Sequence, residues 1–433
     1  MGDRWMTLSG WVPSFLTVAL MLTGLVPAAT AEMLPGFRLE AVAQVPGFVT
    51  SVVTDSKGTI YFTTTDGQIF RVEGEDTVVV ATLPTRSLGN GGLLGMAMKD
   101  DRTAVVHYTL WDDREGHQDR VLDDVISHVD LVTGEESLVH AFICDVDVRE
   151  RGADSEHHGG NPIVAPDGSI FVGIGDYGSG RELAQQNGWN AGRIWRIDPD
   201  GNATEWARGM RNPYDLAWDP VLERVVVADN GPFKGDEIHI LAEGDNGGWP
   251  RTFGDEPPME GASAPVYVFP MTVAPTGMLR LNGTNERIRD GYLLGGFVTD
   301  ALYYFPDLTA DPVEVPVAII DDFGAFIMDV TQTPTGELYL ATVGGWAVSI
   351  TTIHRLHAPA RGDCNGDGKV NVDDLAALSL ELADGAGQSV LSAHLGANPG
   401  SWGCDVNGDG VITQADVTAL SMMLTGKKRS VRR

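Results

Sequence analysis

The residues best able to do chemistry fall in two regions. Near the C-terminus, Asp363, Asn365, Asp367 and Asp374 stand at positions 1, 3, 5 and 12 of a twelve-residue loop, with Gly368 at position 6. Asp405, Asn407, Asp409 and Asp416 repeat the pattern around Gly410. This is the donor set of a calcium loop: hard oxygen ligands, a glycine for the sharp turn, and the position-7 backbone carbonyls of Lys369 and Val411. A single match would pass as an Asx-rich turn, but two in tandem point to calcium. The second region is Glu156–Gly175, "EHHGGNPIVAPDGSIFVGIG". Its histidine pair reads as a catalytic base, a metal site or packing. An imidazole titrates near neutral pH, which suits a base. Adjacent residues on a strand point to opposite faces, so His157 and His158 are poorly placed to share one ion. The metal reading is therefore the weaker one, and a base or packing stay open for the pair; Glu156 precedes His157 and is a candidate to orient its ring.

These groups need a scaffold, and residues 33–357 supply one in short strands broken by Gly, Pro, Asp and Asn. A glycine-containing turn, an alternating apolar run and a second strand recur. They are seen at Asp55–Gly58 before "TIYFTTTDGQIFRV", at Pro166–Gly168 before "SIFVGIGD", at Asp219–Pro220 before "RVVVADNG" and at Pro334–Gly336 before "ELYLATVG". Period-2 alternation buries one face of each strand. Repeated small sheets predict a mainly β chain folded as a β-propeller, and about 325 residues at roughly 50 per blade make it six-bladed. A pair of β-sandwiches is the alternative.

The texture changes after His357. Residues 358–362 read as a linker and 363–427 as two loops each followed by an amphipathic helix. Residues 428–433 form a basic tail. At the other end, Arg4 precedes an apolar stretch, Trp11–Val26, and Ala29-Thr30-Ala31 is a small-x-small processing site. Residues 1–31 therefore read as a secretory signal peptide, with an uncleaved anchor as the alternative. No later stretch of the sequence is long and apolar enough to span a bilayer. The expected location is secreted, periplasmic or cell-surface. A formal charge of -30 argues against nucleic acid or an anionic membrane surface as partner. Of three cysteines, Cys144 stands alone in the large domain and reads as a small buried apolar residue.

Loop-then-helix, twice, resembles a dockerin, although the last ligand is Asp and not the Glu usual in an EF-hand. The resemblance implies a module that folds on calcium and docks on a cohesin-like or cell-surface protein. The positions where dockerins place Ser/Thr for that contact are Val372-Asp373 and Gln414-Ala415. Cys364 and Cys404 begin the two loops, and a pseudo-twofold arrangement would bring them close enough for a disulfide.

Four stretches of the large domain, "GGLLGMAM", "EHHGGNPIVAPDGSIFVGIGDYG", "EWARGMRNPYDLAWDP" and "ADNGPFKGDEIHILAEGDNGGWP", resemble the soluble glucose/sorbosone dehydrogenases. Those are six-bladed propellers that bind pyrroloquinoline quinone (PQQ) and calcium. The resemblance implies oxidation of the C1 hydroxyl of an aldose, with His157 as base. Arg211 and Asn212 would hold the cofactor, Arg211 as a fork to a carboxylate. The carbonyls of Gly231 and Pro232 would hold the catalytic calcium, and Asp236 and Glu237 a second, structural one. The sequence departs from the family at its other cofactor cations. A lysine position holds Thr299-Asp300, and arginine positions hold Phe326-Ile327-Met328 before Asp329-Val330. Two alternatives follow: a non-catalytic propeller binding protein or carbohydrate, and a calcium-dependent lactonase or esterase drawing on Asp176, Asp229 and Asn230.

Overall fold

The structure is a computed structural model that describes residues 32–112, 121–144, 156–178, 182–285, 288, 290–345, 349–385, 388–389 and 401–426. The expected signal peptide and the basic tail lie outside the described residues. Six antiparallel sheets make the large domain, as the repeated phrase predicts. Blade 1 comprises Val49–Thr54, Ile60–Thr64, Gln68–Glu73 and Asp76–Thr82. Blade 2 comprises Leu93–Met98, Thr103–Trp111, Val121–Asp130 and Glu136–Ile143. Blade 3 comprises Ile163–Val164, Ile170–Ile174, Arg193–Ile197 and Ala203–Arg208. Blade 4 comprises Pro213–Asp219, Arg224–Asp229, Glu237–Leu241 and Tyr267–Val268. Blade 5 comprises Pro275–Arg280, Tyr292–Gly296, Ala301–Phe305 and Val317–Asp321, edged by Glu32–Met33. Blade 6 comprises Phe326–Gln332, Leu338–Val343 and Ile350–His357.

The circle is closed by the strand Arg38–Pro46. It pairs with Ile350–His357 from Arg38↔His357 to Pro46↔Ile350 and becomes the outer strand of blade 6. Opposite ends of the domain thus share one hydrogen-bond ladder, which covers an otherwise open edge. The middle strands are the most apolar because they are covered on both faces. In blade 4, Val225, Val226, Val227 and Ile238 are fully buried. Each such side chain contributes roughly 1.5–3 kcal/mol.

Among the described residues the C-terminal module has two helices, α1 (Val372–Gly385) and α2 (Gln414–Leu424). Leu378, Leu420, Val406 and Ile412 form its core. Cys364 and Cys404 are joined in a disulfide, with Cα atoms 4.5 Å apart. Trp402 does not join this core. It is buried in the propeller's cluster, with ring centroids 5.6 Å from Phe37 and 5.7 Å from Tyr304. Gly366, in the first loop, lies so close to Pro35 that a Cβ would stand 2.6 Å from the proline Cβ. The connection 358–362 is packed as well, with Pro359 buried. The module is docked on blades 5 and 6. Cys144 is half-buried against the blade 3 cluster.

Candidate active site

The innermost strands make the site by breaking their own register. The ladder shifts at Val49/Ser51, Leu93/Gly95, Pro213/Asp215, Pro275/Met278 and Ile327/Asp329, the same place in five blades. A bulge leaves a residue unpaired and re-aims its side chain. The residues skipped in the ladder include Thr50, Leu94, Tyr214, Thr276 and Met328, and all five line one cavity of about 490 Å³.

His157 lines this cavity with 13% of its side chain exposed. Its backbone is left-handed, at φ 55, and the residue belongs to no strand. The premise that His157 and His158 alternate on a strand is therefore corrected: the inner strand of blade 3 begins only at Ile163. Gly175 lets this turn approach, since a Cβ there would collide with the His157 carbonyl. The ring is oriented by Asp176, not by Glu156, which is exposed. Nδ1 of His157 lies 2.6 Å from Asp176 Oδ1. The other oxygen of Asp176 accepts from Trp249 Nε1 at 3.0 Å, and the Trp249 ring lies 5.7 Å from the Arg211 guanidinium. His158 faces elsewhere, with Nδ1 3.0 Å from the buried Asp124 Oδ1. Burial opposes ionisation of Asp124, but the charge of His158 and hydrogen bonds from His107 and His158 hold it well below the usual carboxylate range.

Arg211 and Asn212 are set by Asp229, whose two oxygens accept from their backbone amides at 2.9 and 2.6 Å. Burial, with the nearby charge of Glu237, pushes the Asp229 carboxyl up to about 7. The Asn212 side chain accepts from Gly159 N at 3.1 Å and so ties the blade 4 entry to the histidine turn. Nη1 of Arg211 donates to the carbonyls of Asn230, at 2.8 Å, and Gly231, at 3.0 Å. These carbonyls therefore already converge on a positive charge.

Gly231 and Asp236 line the cavity, whereas Pro232 and Glu237 do not. The Asp236 carboxylate accepts from the amides of Gly231, Val273 and Ala274 at 2.7–2.9 Å. Glu237 turns the other way, to His239 Nε2 at 2.7 Å and the Gly254 amide. With Asp229 and His239 it forms a buried group whose ligand atoms lie within 4.8 Å of one another. The carboxylates weighed for lactone hydrolysis are thus engaged, Asp176 on His157 and Asp229 on two amides.

The far wall is apolar. Phe297 and Met328 line the cavity, and Phe297 stacks on Phe326 with centroids 4.2 Å apart. Thr299 and Asp300 do not line the cavity; Thr299 Oγ1 accepts from Tyr303 OH at 3.0 Å. Burial and Asp322 raise the Asp300 carboxyl. Among the described lining residues Arg211 is the one Lys or Arg. Sequence reasoning missed Asp176 as the orienting group and missed Trp249. The carboxylate ending the strand run "IFVGIGD" was the available signal.

In the C-terminal loops the position-1 and position-12 carboxylates organise the turns. Asp363 accepts from Gly368 N at 2.9 Å, and Asp405 from Gly410 N at 3.1 Å. Asp374 accepts from Cys364 and Asn365, and Asp416 from Asn407 and Thr413. Asp416 also completes the capping box of α2, so one carboxylate closes the loop and starts the helix. Asn365, Asp367, Asn407 and Asp409 each accept from the backbone amide two residues on. Burial pushes the Asp363 carboxyl up, helped by the charges of Asp374 and Asp367, and its Oδ1 is buried without a partner. A cation would relieve both.

Residues 361–425 match the family model of the dockerin type I domain, and residues 41–347 that of glucose/sorbosone dehydrogenase. An uncharacterized protein of Synechocystis is 26% identical over 302 residues, covering 61% of this chain and 72% of that one. Aldose sugar dehydrogenase YliI of Escherichia coli is 29% identical over 212 residues, 43% of this chain and 57% of that protein. The PQQ-bound aldose sugar dehydrogenase of Streptomyces coelicolor superposes with a TM-score of 0.60 at 20% identity, over 75% of this chain and all of that one, a likeness of fold. The first family model spans most of the chain and takes in both the histidine turn and the Arg211–Gly231 wall, so this chain belongs to the glucose/sorbosone dehydrogenase family.

Proposed function

We propose that this protein is an exported, PQQ- and calcium-dependent dehydrogenase that oxidises the C1 hydroxyl of aldose sugars. The observation carrying this reading is the His157–Asp176 pair at the cavity, 2.6 Å apart. With Nδ1–H donating to the carboxylate, the neutral ring keeps a lone pair on Nε2. His157 would take the hydroxyl proton there, and Asp176 would stabilise the resulting imidazolium. When bound, PQQ supplies a hydride acceptor, and calcium supplies the Lewis acidity that polarises it.

The residues present fit both groups. The carbonyls of Asn230 and Gly231 hold a guanidinium where a cation would be welcome, and Pro232 would add a third carbonyl. Arg211 would exchange those carbonyls for a cofactor carboxylate, beside Asn212. Phe297 and Met328 line the cavity and would exclude water from it. Glu237 and Asp229 would supply oxygen donors to the second calcium, while Asp236 fixes the Gly231 amide.

One guanidinium for three cofactor carboxylates predicts weak PQQ affinity. The apolar wall of Phe297, Phe326 and Met328 also favours a second reading, a propeller that binds sugar or protein without redox chemistry. Titration of the full-length protein with PQQ in calcium, followed by an aldose and a dye acceptor, separates the two. Binding with dye reduction supports the dehydrogenase; no binding at saturating PQQ leaves the binding propeller.

In the dockerin module, Asp363, Asn365, Asp367, Lys369 and Asp374, and Asp405, Asn407, Asp409, Val411 and Asp416, would each hold one calcium. A cohesin-type protein is the proposed partner, anchoring the enzyme at a surface. Val372, exposed at the start of α1, would offer that partner an apolar contact in place of a hydroxyl. Among the described residues no helix is long and apolar enough to cross a membrane.

A further inference from the structure

One residue beyond the cavity wall, the innermost segments of the six blades present Ser51, Gly95, Asn161, Asp215, Gly277 and Asp329. All six are buried. The two inner-strand glycines make room. A Cβ at Gly277 would stand 2.6 Å from Asp329 Oδ1, and one at Gly95 would overlap Asn161 Oδ1. The glycines thus let blade 5 approach blade 6, and blade 2 approach blade 3, so closely that the Asp329 carboxylate and the Asn161 amide lie against the neighbouring inner strand.

Asp215 and Asp329 catch the amides freed by the bulges. Asp215 Oδ1 accepts from Leu216 N at 2.7 Å, and its Oδ2 from Met278 N at 2.7 Å and Asn161 Nδ2 at 3.1 Å. Asp329 Oδ1 accepts from Val330 N at 2.7 Å, and its Oδ2 from Val52 N at 2.7 Å and Ser51 Oγ at 3.0 Å. Every one of these donors is neutral. Among the described residues no Lys, Arg or His pairs with either carboxylate, and no hydrogen bond joins the two. Burial, together with the charge of Asp329, pushes the Asp215 carboxyl well up, and burial pushes Asp329 up to about 7. Two buried carboxylates without positive charge are costly. Independently, Asn161 Oδ1, in the same layer, is buried and has no partner.

We propose that this layer is a metal site: a hard divalent cation of the calcium class, bound on the propeller axis by Asp215, Asp329 and Asn161 Oδ1. The donors are all oxygen, which selects calcium over the softer transition metals. The two carboxylates neutralise the ion, and the carbonyl oxygen of Asn161 gains the partner it lacks. A shared proton serves less well, because no hydrogen bond links the carboxylates to receive it. The ion ties blades 3, 4 and 6 together beneath the cavity and uses none of the residues assigned to the other calcium positions. It therefore stands or falls separately from the dehydrogenase reading.

The test uses full-length protein without PQQ, dialysed against calcium, with bound metal counted by atomic emission. Asp215→Asn and Asp329→Asn should each bind one calcium fewer than the unaltered protein, and Asn161→Ala should weaken that ion about tenfold or more. Equal stoichiometry in folded variants overturns the proposal. Should the aspartate variants fail to fold, crystals of the unaltered protein grown in calcium decide. An anomalous peak at about 2.3–2.6 Å from Asp215 and Asp329 oxygens supports the site. Water or no peak at that position overturns it.

Discussion

Asp176 Oδ1 lies 2.6 Å from Nδ1 of His157 and fixes which ring nitrogen is left for the cavity. Its other oxygen is held by Trp249. Asp176→Asn should keep the fold but remove the charge and, with the amide oxygen taken by Trp249 Nε1, turn an NH2 toward Nδ1, which reverses the tautomer. In the PQQ, aldose and dye assay, kcat should fall by about 10² to 10⁴ with little change in KM. His157→Ala should match it, and the double variant should lose little more, because the two act as one unit. Full activity in either single variant would remove His157 as the base.

Arg211→Ala should weaken PQQ binding about 10- to 100-fold in an absorbance titration, the worth of a charge-assisted hydrogen bond. Thr299→Lys should tighten it by adding a cation on the turn that follows Phe297. Were Arg211→Ala to bind equally well, the cofactor carboxylates would have to be held elsewhere.

Calcium should raise the melting temperature of the full-length protein, and Asp363→Ala with Asp405→Ala should remove the part of that rise owed to the C-terminal loops, leaving the part owed to the propeller sites. Non-reducing peptide mapping should recover Cys364 joined to Cys404. The bond closes a loop across 40 residues, so reducing it should cost the module roughly 3–4 kcal/mol. Retention of the full calcium response in the double variant would count against both loops.

Trp402→Ala should free the dockerin module from the propeller. The substitution removes a buried ring packed between Phe37 and Tyr304, at about 3–5 kcal/mol. Limited proteolysis should then cut near residues 358–362, where the unaltered chain resists. Equal resistance in both would show that the docking rests on other contacts.

His354, on the blade 6 strand that pairs with Arg38–Pro46, has its imidazole pushed down to about 4 by burial. The unfolded chain takes up that proton near pH 6.5, whereas the folded protein resists it. Its contribution to stability is therefore complete above pH 6.5 and lost as pH falls toward 4, on the order of 3 kcal/mol. Melting curves across that range should fall less steeply for His354→Gln. An unchanged slope would place the acid sensitivity elsewhere.

The propeller and the calcium loops were legible in the sequence because both are local patterns. Strand alternation and turn residues recur blade by blade, and each loop carries its ligands within twelve positions. The cavity was legible only in pieces. His157, Arg211, Asn212, Gly231 and Asp236 could be named, and the structure brings them to one wall. Their supports come from elsewhere in the chain: Asp176 is 19 residues from His157, and Trp249 is 73 from Asp176.

By itself the sequence determined the repeat, the oxygen donors of the two loops and the absence of lysine and arginine from the far wall. Only the tertiary structure decided that Asp176 rather than Glu156 holds His157, that Trp402 belongs to the propeller and not to its own module, and that Asp215 comes within reach of the charge of Asp329. The physical reason is closure. When Arg38–Pro46 completes blade 6, residues far apart in the chain become neighbours around one axis, and no local period encodes which of them will meet.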